Sequence, residues 1–313
     1  MFSNCTSLSS APSLPVTTLA DKCYCGMFCA TRLTSTPVLP ATTLAPSCYM
    51  NMFMWSTYLT NIPSLPATTL ADNCYRDMFK SCTSLTTPPV LPATTLAPSC
   101  YKDMFMGCSS LSSAPSLPAT TLCGACYDKM FWGCTSLKTP PALPATTLAN
   151  NCYIYMFNGC TALTAAPELP ATQILLQSYG CMFQGCTSLS TAPTLPATIL
   201  DFNCYGGMFA GCTSLISAPA LPATTLNTFC YQGMFNNCTS LSTAPALPAT
   251  SLASGCYAGM FSGCTNLNHI EVSFTDWNSN EDSTNNWVSG VAAEGDFIKP
   301  NALSDIRGVS NIP

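Results

Sequence analysis

Twenty-two cysteines and one histidine limit the chemistry open to this chain. With His269 as its sole imidazole, it can build neither a His-based triad nor a multi-histidine metal site. The cysteines fall in register. Cys5, Cys82, Cys108, Cys134, Cys160, Cys186, Cys212, Cys238 and Cys264 form one set. Cys23, Cys48, Cys74, Cys100, Cys126, Cys152, Cys204, Cys230 and Cys256 form a second, and Cys25, Cys29, Cys123 and Cys181 lie outside both. Free thiols behave as small buried hydrophobes and would give two ladders. A disulfide framework is permitted by a stacking distance of about 4.8 Å, although identical positions supply no pairing rule. Structural zinc wants tight Cys pairs, and the steps from Cys74 to Cys82 to Cys100 are not tight. Cys123-Gly124-Ala125-Cys126 has redox-type spacing in a single unit. No cofactor, metal or catalytic residue is expected, so the chain reads as a non-enzyme.

The elements that position these side chains follow from an internal repeat. Met-Phe recurs from Met1 through Met27, Met52, Met78, Met104 and onward to Met260, 26 residues apart with one step of 25. The unit reads Met-Phe-x-Gly-Cys-Thr-Ser-Leu-x-x-Ala-Pro-x-Leu-Pro-Ala-Thr-Thr-Leu-Ala-x-x-Cys-Tyr-x-x. Such a period means a solenoid of about ten stacked units over residues 1–270, not two globular domains. Cys100 and Met104, like Tyr101 and Phe105, are four apart and would share one face of a two-turn helix. Pro98 or Asp72 would open that helix, and Gly107, Gly133 and Gly159 would close it in a left-handed C-cap. A short strand is predicted near Leu111–Ala114, ended by Pro115 and Pro118. The two prolines then form a stiff link to the next unit.

Cys82-Thr83-Ser84-Leu85, Leu91-Pro92 and Met104-Phe105-Met106-Gly107-Cys108 resemble the leucine-rich repeats of the BspA-like type, found in surface proteins of bacteria and protists. The resemblance covers residues 1 to about 270. It implies an α/β solenoid, a right-handed array with short strands on a concave face and short helices on a convex face. It also implies adhesion or binding without a shared enzymatic activity. The unit departs from the family by being a few residues longer. Met replaces Ala before Phe, and Ala-Pro or Pro-Pro stands where Ile is expected. Cys82, Cys108, Cys134, Cys160, Cys186, Cys212, Cys238 and Cys264 match the family's Asn/Cys ladder, a structural role.

A solenoid binds through positions that its fold leaves free. On the strand side these carry Ser and Thr, with Lys138, Glu168 and His269 as the charged or titratable exceptions. On the opposite side Met54, Trp55, Met106 and Trp132 would form an apolar strip if exposed. The expected partner is a protein or glycan on a host or neighbouring cell. Residues 1–270 balance seven acids against seven bases, and the −5 net charge belongs to the tail. No basic stripe points to nucleic acid, and no apolar run is long enough to span a membrane.

Regularity stops after Leu267, and residues 271–313 are expected to cap the open end. A strand at Ile270–Phe274 and a helix near Asp282–Val288 are predicted there. Asp276, Asn278, Asn280 and Asp282 alternate like a calcium loop, but Glu281 and Trp287 break the pattern. Asn286-Trp287-Val288-Ser289-Gly290-Val291 and Arg307-Gly308-Val309 resemble a tail that follows such repeats in surface and phage-associated proteins of gut bacteria. Met1-Phe2 lies mid-repeat with no signal peptide, so the chain is expected to be a fragment or to be exported by another route. The functional expectation is an adhesive surface scaffold, extracellular or on the cell surface. The alternative is a phage virion component of tail or fibre type.

Overall fold

The computed structural model describes residues 1–277 and 282–304. Its backbone winds into stacked coils, one per repeat. Among the described residues there is no helix. The predicted helix is replaced by a ribbon of overlapping turns. Within the coil of Phe105, the amides of Cys100, Lys102, Met104, Met106 and Cys108 each donate to the carbonyl three residues back, at 3.0–3.2 Å. The alternate amides, of Ser99, Tyr101, Asp103, Phe105 and Gly107, donate instead to the next coil at 2.7–3.0 Å. Every fourth residue is left-handed, as at Ser99 (φ 54°), Asp103 (φ 56°) and Gly107 (φ 73°).

The reason lies in spacing. Packed helices need axes about 8–10 Å apart, whereas coils that hydrogen-bond to one another lie about 4.8 Å apart. Bonding half the amides between coils keeps the turn side at the rise of the strand side. The i, i+4 spacing of Cys100 with Met104 and of Tyr101 with Phe105 is met equally well by a four-residue turn period. Both pairs are buried as expected, without a helix. Gly107, Gly133 and Gly159 are left-handed as expected, but each closes a turn.

Strand pairing is sparse and parallel. The predicted strand near Leu111–Ala114 shrinks to one bridge, Ser113 to Thr139. A second ladder runs through the Ala-Thr-Thr segment, with bridges Thr69 to Thr95 and Thr121 to Thr147. It lengthens into β1 (Gln173–Ile174) paired with β2 (Ile199–Leu200). Pro115 and Pro118 have no N–H to donate, which keeps the rest of the segment from closing a ladder.

Each coil fills the core with the same residues, so the core consists of columns. The Phe column runs from Phe2 to Phe261, with neighbouring rings stacked 5.6–5.8 Å apart. A Tyr column runs beside it from Tyr24 to Tyr257 at 5.7–6.1 Å. Leu111, Leu117 and Leu122 of one coil, with their counterparts above and below, close the strand side of the core.

Beyond residue 270 the coil path continues with different residues. β3 (His269–Glu271) pairs with β4 (Asp296–Ile298). The predicted helix near Asp282–Val288 is again turn ribbon: Tyr257, Gly259, Phe261 and Gly263 donate to Ser283, Asn285, Trp287 and Ser289. Phe274, Trp277, Trp287 and Phe297 pack together over the last Phe and Tyr of the columns. Residues 278–281 of the calcium-like run, and the Arg307-Gly308-Val309 motif, lie outside the described residues.

Candidate binding surface

Most of the cysteines are packed into the core. All 22 are free thiols, and the eight of the expected ladder are buried. Each donates its S–H to the carbonyl of a Phe in the preceding coil, as Cys108 does to Phe79 (3.0 Å) and Cys134 to Phe105 (3.1 Å). That carbonyl also accepts the backbone N–H of its own coil's cysteine, Cys108 in the case of Phe105 (3.0 Å). Burial pushes these thiols up to about 12 for Cys108, Cys160 and Cys264. Where the cysteine is missing, a hydroxyl replaces it: Ser56 donates to Phe28 (3.0 Å). In the second ladder Ser178 donates to Ala149 (3.1 Å) and Ser283 to Ala253 (3.0 Å). The columns therefore require a small hydrogen-bond donor.

The redox-spaced pair follows the same rule. Cys126 is buried, and burial, with Cys100 and Cys152 nearby, pushes its thiol well above the usual range. Burial raises Cys123 too, which donates to the Leu96 carbonyl at 3.3 Å. A thiol attacks as thiolate and needs a lowered pKa, the opposite of what is found.

Of the strand-side candidates, Lys138 and Glu168 are exposed and His269 is half-buried. Glu168 accepts from the Thr194 hydroxyl at 3.1 Å, and His269 Nδ1 lies 3.8 Å from Asp296. A hollow of about 430 Å³ opens beside Glu168, lined by Pro140, Pro141, Pro144, Pro167 and Pro170. The structure does not gather Lys138, Glu168 and His269 into one site; they mark separate coils.

The turn side is more concentrated. Met54, Met106 and Trp132 occupy one column, the position after Phe, and all are half-buried; Trp55 stands beside them, 53% exposed. The column is interrupted by Lys80 between Met54 and Met106, so it is a mixed strip and not a continuous apolar one. Beside it run the variable columns that carry Arg76-Asp77, Lys102-Asp103, Asp128-Lys129 and Ile154-Tyr155. Arg76 and Lys80 pair with Asp77 (3.2 and 2.9 Å), and Lys102 and Lys129 pair with Asp128 (2.6 and 3.5 Å). Lys129 also lies over the rings of Trp132 (5.8 Å) and Tyr155 (5.4 Å), which stack on each other. Asp103 is buried between these pairs, and its carboxyl is raised by burial and by Asp77. The variability of these positions is visible in the sequence; the contact of Lys129 with Tyr155 across coils is what stacking adds.

Among solved structures, a leucine-rich repeat protein from Bacteroides ovatus ATCC 8483 aligns over 96% of this chain and 74% of its own, with a TM-score of 0.52 and 18% identity. The fold is that of a leucine-rich repeat protein. A leucine rich cell surface protein from Faecalibacterium prausnitzii A2-165 aligns over 87% and 74%, with a TM-score of 0.41 and 19% identity. No protein-family model matches the sequence, and no curated protein matches it. As a leucine-rich repeat solenoid, the chain differs from the expected helix-backed form in its turn ribbon. Among the described residues no helix is long and apolar enough to cross a membrane.

Proposed function

We propose that this leucine-rich repeat solenoid is a non-enzymatic scaffold, extracellular or on a cell surface, that binds protein or glycan through its turn side. The observation that carries the reading is the division between columns. Inward columns repeat Met, Phe, Cys, Tyr and Leu almost without change. The outward turn-side columns run through Met, Lys, Arg, Asp, Trp, Tyr, Asn, Gln and Gly. Side chains that do not hold the fold are free to differ, and here the bulkiest differences fall on the turn side. Residues 271–313 serve as the cap that separates the last aromatic columns from water.

The test is a binding screen of the intact protein against immobilised host matrix proteins and glycans. A turn-side variant, Met54→Ser with Trp55→Gly, is compared with a proline-side variant, Ala142→Glu. Loss of capture in the first alone supports the reading; loss in the second alone places binding on the proline side and overturns it. Fractionation of the native source into cell surface and virions separates surface display from the virion alternative.

A further inference from the structure

The turn-side residue just before Met is left-handed in every coil from Gly26 to Gly259, with φ between 52° and 63°. Glycine adopts that conformation freely, and Gly26, Gly207, Gly233 and Gly259 use it. Asn51, Asp77 and Asp103 are the next best tolerated. Lys129 (φ 54°), Tyr155 (φ 55°) and Cys181 (φ 52°) are neither, and they sit in successive coils. Non-glycine residues in this region carry an energetic cost, and the ribbon holds Trp55, Gln177 and Phe229 there as well. What sets Lys129 and Tyr155 apart is that they converge with Trp132 on one cation–π group, with Lys129 over both rings. Trp132 in turn occupies a position that is Ala210 or Ser262 in other coils.

The charges around that group are layered. The side chains of Arg76, Lys80, Lys102 and Lys129 are 40%, 28%, 23% and 27% exposed, while those of Asp77 and Asp128 are 11% and 6% exposed. Asp103 is buried as well. Carboxylates lie beneath and cations outside, so an arriving partner first meets the cations of three successive coils, roughly 4.8 Å apart, over carboxylates that offset part of their charge. Next to the rings, Asn158 donates to Gln184 (2.8 Å), which leaves amide groups facing outward along the same line.

We propose that this surface binds a linear acidic polysaccharide laid along the solenoid axis over Lys102, Lys129, Trp132 and Tyr155. The inference rests on the scaffold reading and names its ligand class. The cations take the sugar acids, the ring group offers apolar area to pyranose carbons, and the amides serve hydroxyls. An acidic peptide fits less well. A peptide that binds as an added strand needs a free backbone edge, and in this ribbon the amides are already bonded within the turn or to the next coil.

The test uses the full chain and polygalacturonate, with dextran and poly-L-glutamate as comparisons, read by calorimetry or biolayer interferometry. Polygalacturonate is expected to bind, to weaken with added salt, and to exceed dextran and poly-L-glutamate at least tenfold. The triple variant Lys129→Gly, Trp132→Ala, Tyr155→Gly copies residues that other coils carry. It is expected to keep the melting temperature while losing at least tenfold in affinity. Lys102→Gln with Lys129→Gln removes charge alone and gives the same loss should the triple variant fold poorly. Equal binding of poly-L-glutamate would make this an acidic-peptide surface, and equal binding of dextran would remove the role of charge. No binding of polygalacturonate, or unchanged affinity in both variants, overturns the proposal too. Capture that depends on Met54 and Trp55 in the screen above would still support the scaffold.

Discussion

Raising the pH should unfold this protein over a narrow interval, because its core is lined with thiols that can exist there only as donors. Seventeen of the 22 cysteines are buried. Those with a defined value, such as Cys100, Cys108, Cys152 and Cys204, are pushed to about 12 by burial. In the unfolded chain a cysteine titrates near 8.5. The folded value is raised, so each contribution is fully present below about pH 8.5. It is then lost as pH climbs toward the folded value, since the unfolded state releases its proton first. One unit above the unfolded pKa, near pH 9.5, the loss is about 1.4 kcal/mol per thiol. Over the seventeen this is roughly 24 kcal/mol. At about 0.05–0.15 kcal/mol per residue the whole chain holds roughly 16–47 kcal/mol. Urea midpoints followed by circular dichroism under reductant should be flat from pH 7 to 8. They should collapse between about pH 9 and 10.5. Replacing Cys108, Cys134, Cys160 and Cys186 by Ser, as Ser56 already does naturally, should flatten the slope by about 5 kcal/mol per pH unit. The reasoning fails if midpoints stay constant to pH 10 while thiolate absorbance rises in the folded protein. That result would mean the thiols titrate in place.

Other expectations follow from single columns. Asp103→Asn should raise the urea midpoint at pH 7 and leave it unchanged at pH 4. The Asp103 carboxyl is raised, so its contribution is present at low pH and lost as pH rises through the folded value; an equal or lower midpoint at pH 7 contradicts this. Tyr75→Phe removes a buried hydroxyl with no hydrogen-bond partner and should stabilise by about 1 kcal/mol or slightly more, read by the same titration. Ser56→Ala removes one of the two hydroxyls that donate to the Phe28 carbonyl, the other being Thr31, and should cost about 1 kcal/mol, whereas Ser56→Cys should be near neutral. Trp287→Ala opens the aromatic group at the end of the columns and should cost about 3–5 kcal/mol. Hydrogen exchange should then rise first in the coils of Phe261 and Phe235, since a solenoid couples mainly to its neighbours.

Much of this architecture was legible in the residues, and what was missed has a definite cause. The eleven Met-Phe pairs could mean only a stack, and Leu111, Leu117, Cys108 and Phe105 all face inward as expected. The turn side was misread because apolar residues four apart over so short a span suit a helix and a four-residue turn equally. The discriminating signal was the set of outward residues. Asn73-Asp77-Ser81 and Gly255-Gly259-Gly263 place left-handed-tolerant types at every fourth position, which a helix interior would disfavour. The cysteines left three chemistries open, since identical positions alone do not state a bonding partner. The two serines that interrupt the ladders, Ser56 and Ser178, fit the thiol reading, since each hydroxyl donates to a backbone carbonyl as an S–H can.

The functional surface was the least legible part, for a physical reason. Exposure could be assigned to Trp55 or Glu168 from their columns, but a cluster across coils depends on the register between them. Lys129 and Trp132 are three apart in one coil, while Tyr155 is reached only by stacking the next coil upon them. The same stacking explains the scarcity of charge. A column repeated at about 4.8 Å sets like beside like, so identical charged residues would repel from coil to coil. Within the turn ribbon the two most charged columns change sign along their length: Arg76 and Lys102 are followed by Asp128 in one, and Asp77 and Asp103 by Lys129 in the next. The one direct acid-on-acid step, Asp77 to Asp103, is where the carboxyl is raised. A low-charge composition is thus a condition of repeating one coil so many times, and the few coils that depart from it are where a partner of opposite charge has something to recognise.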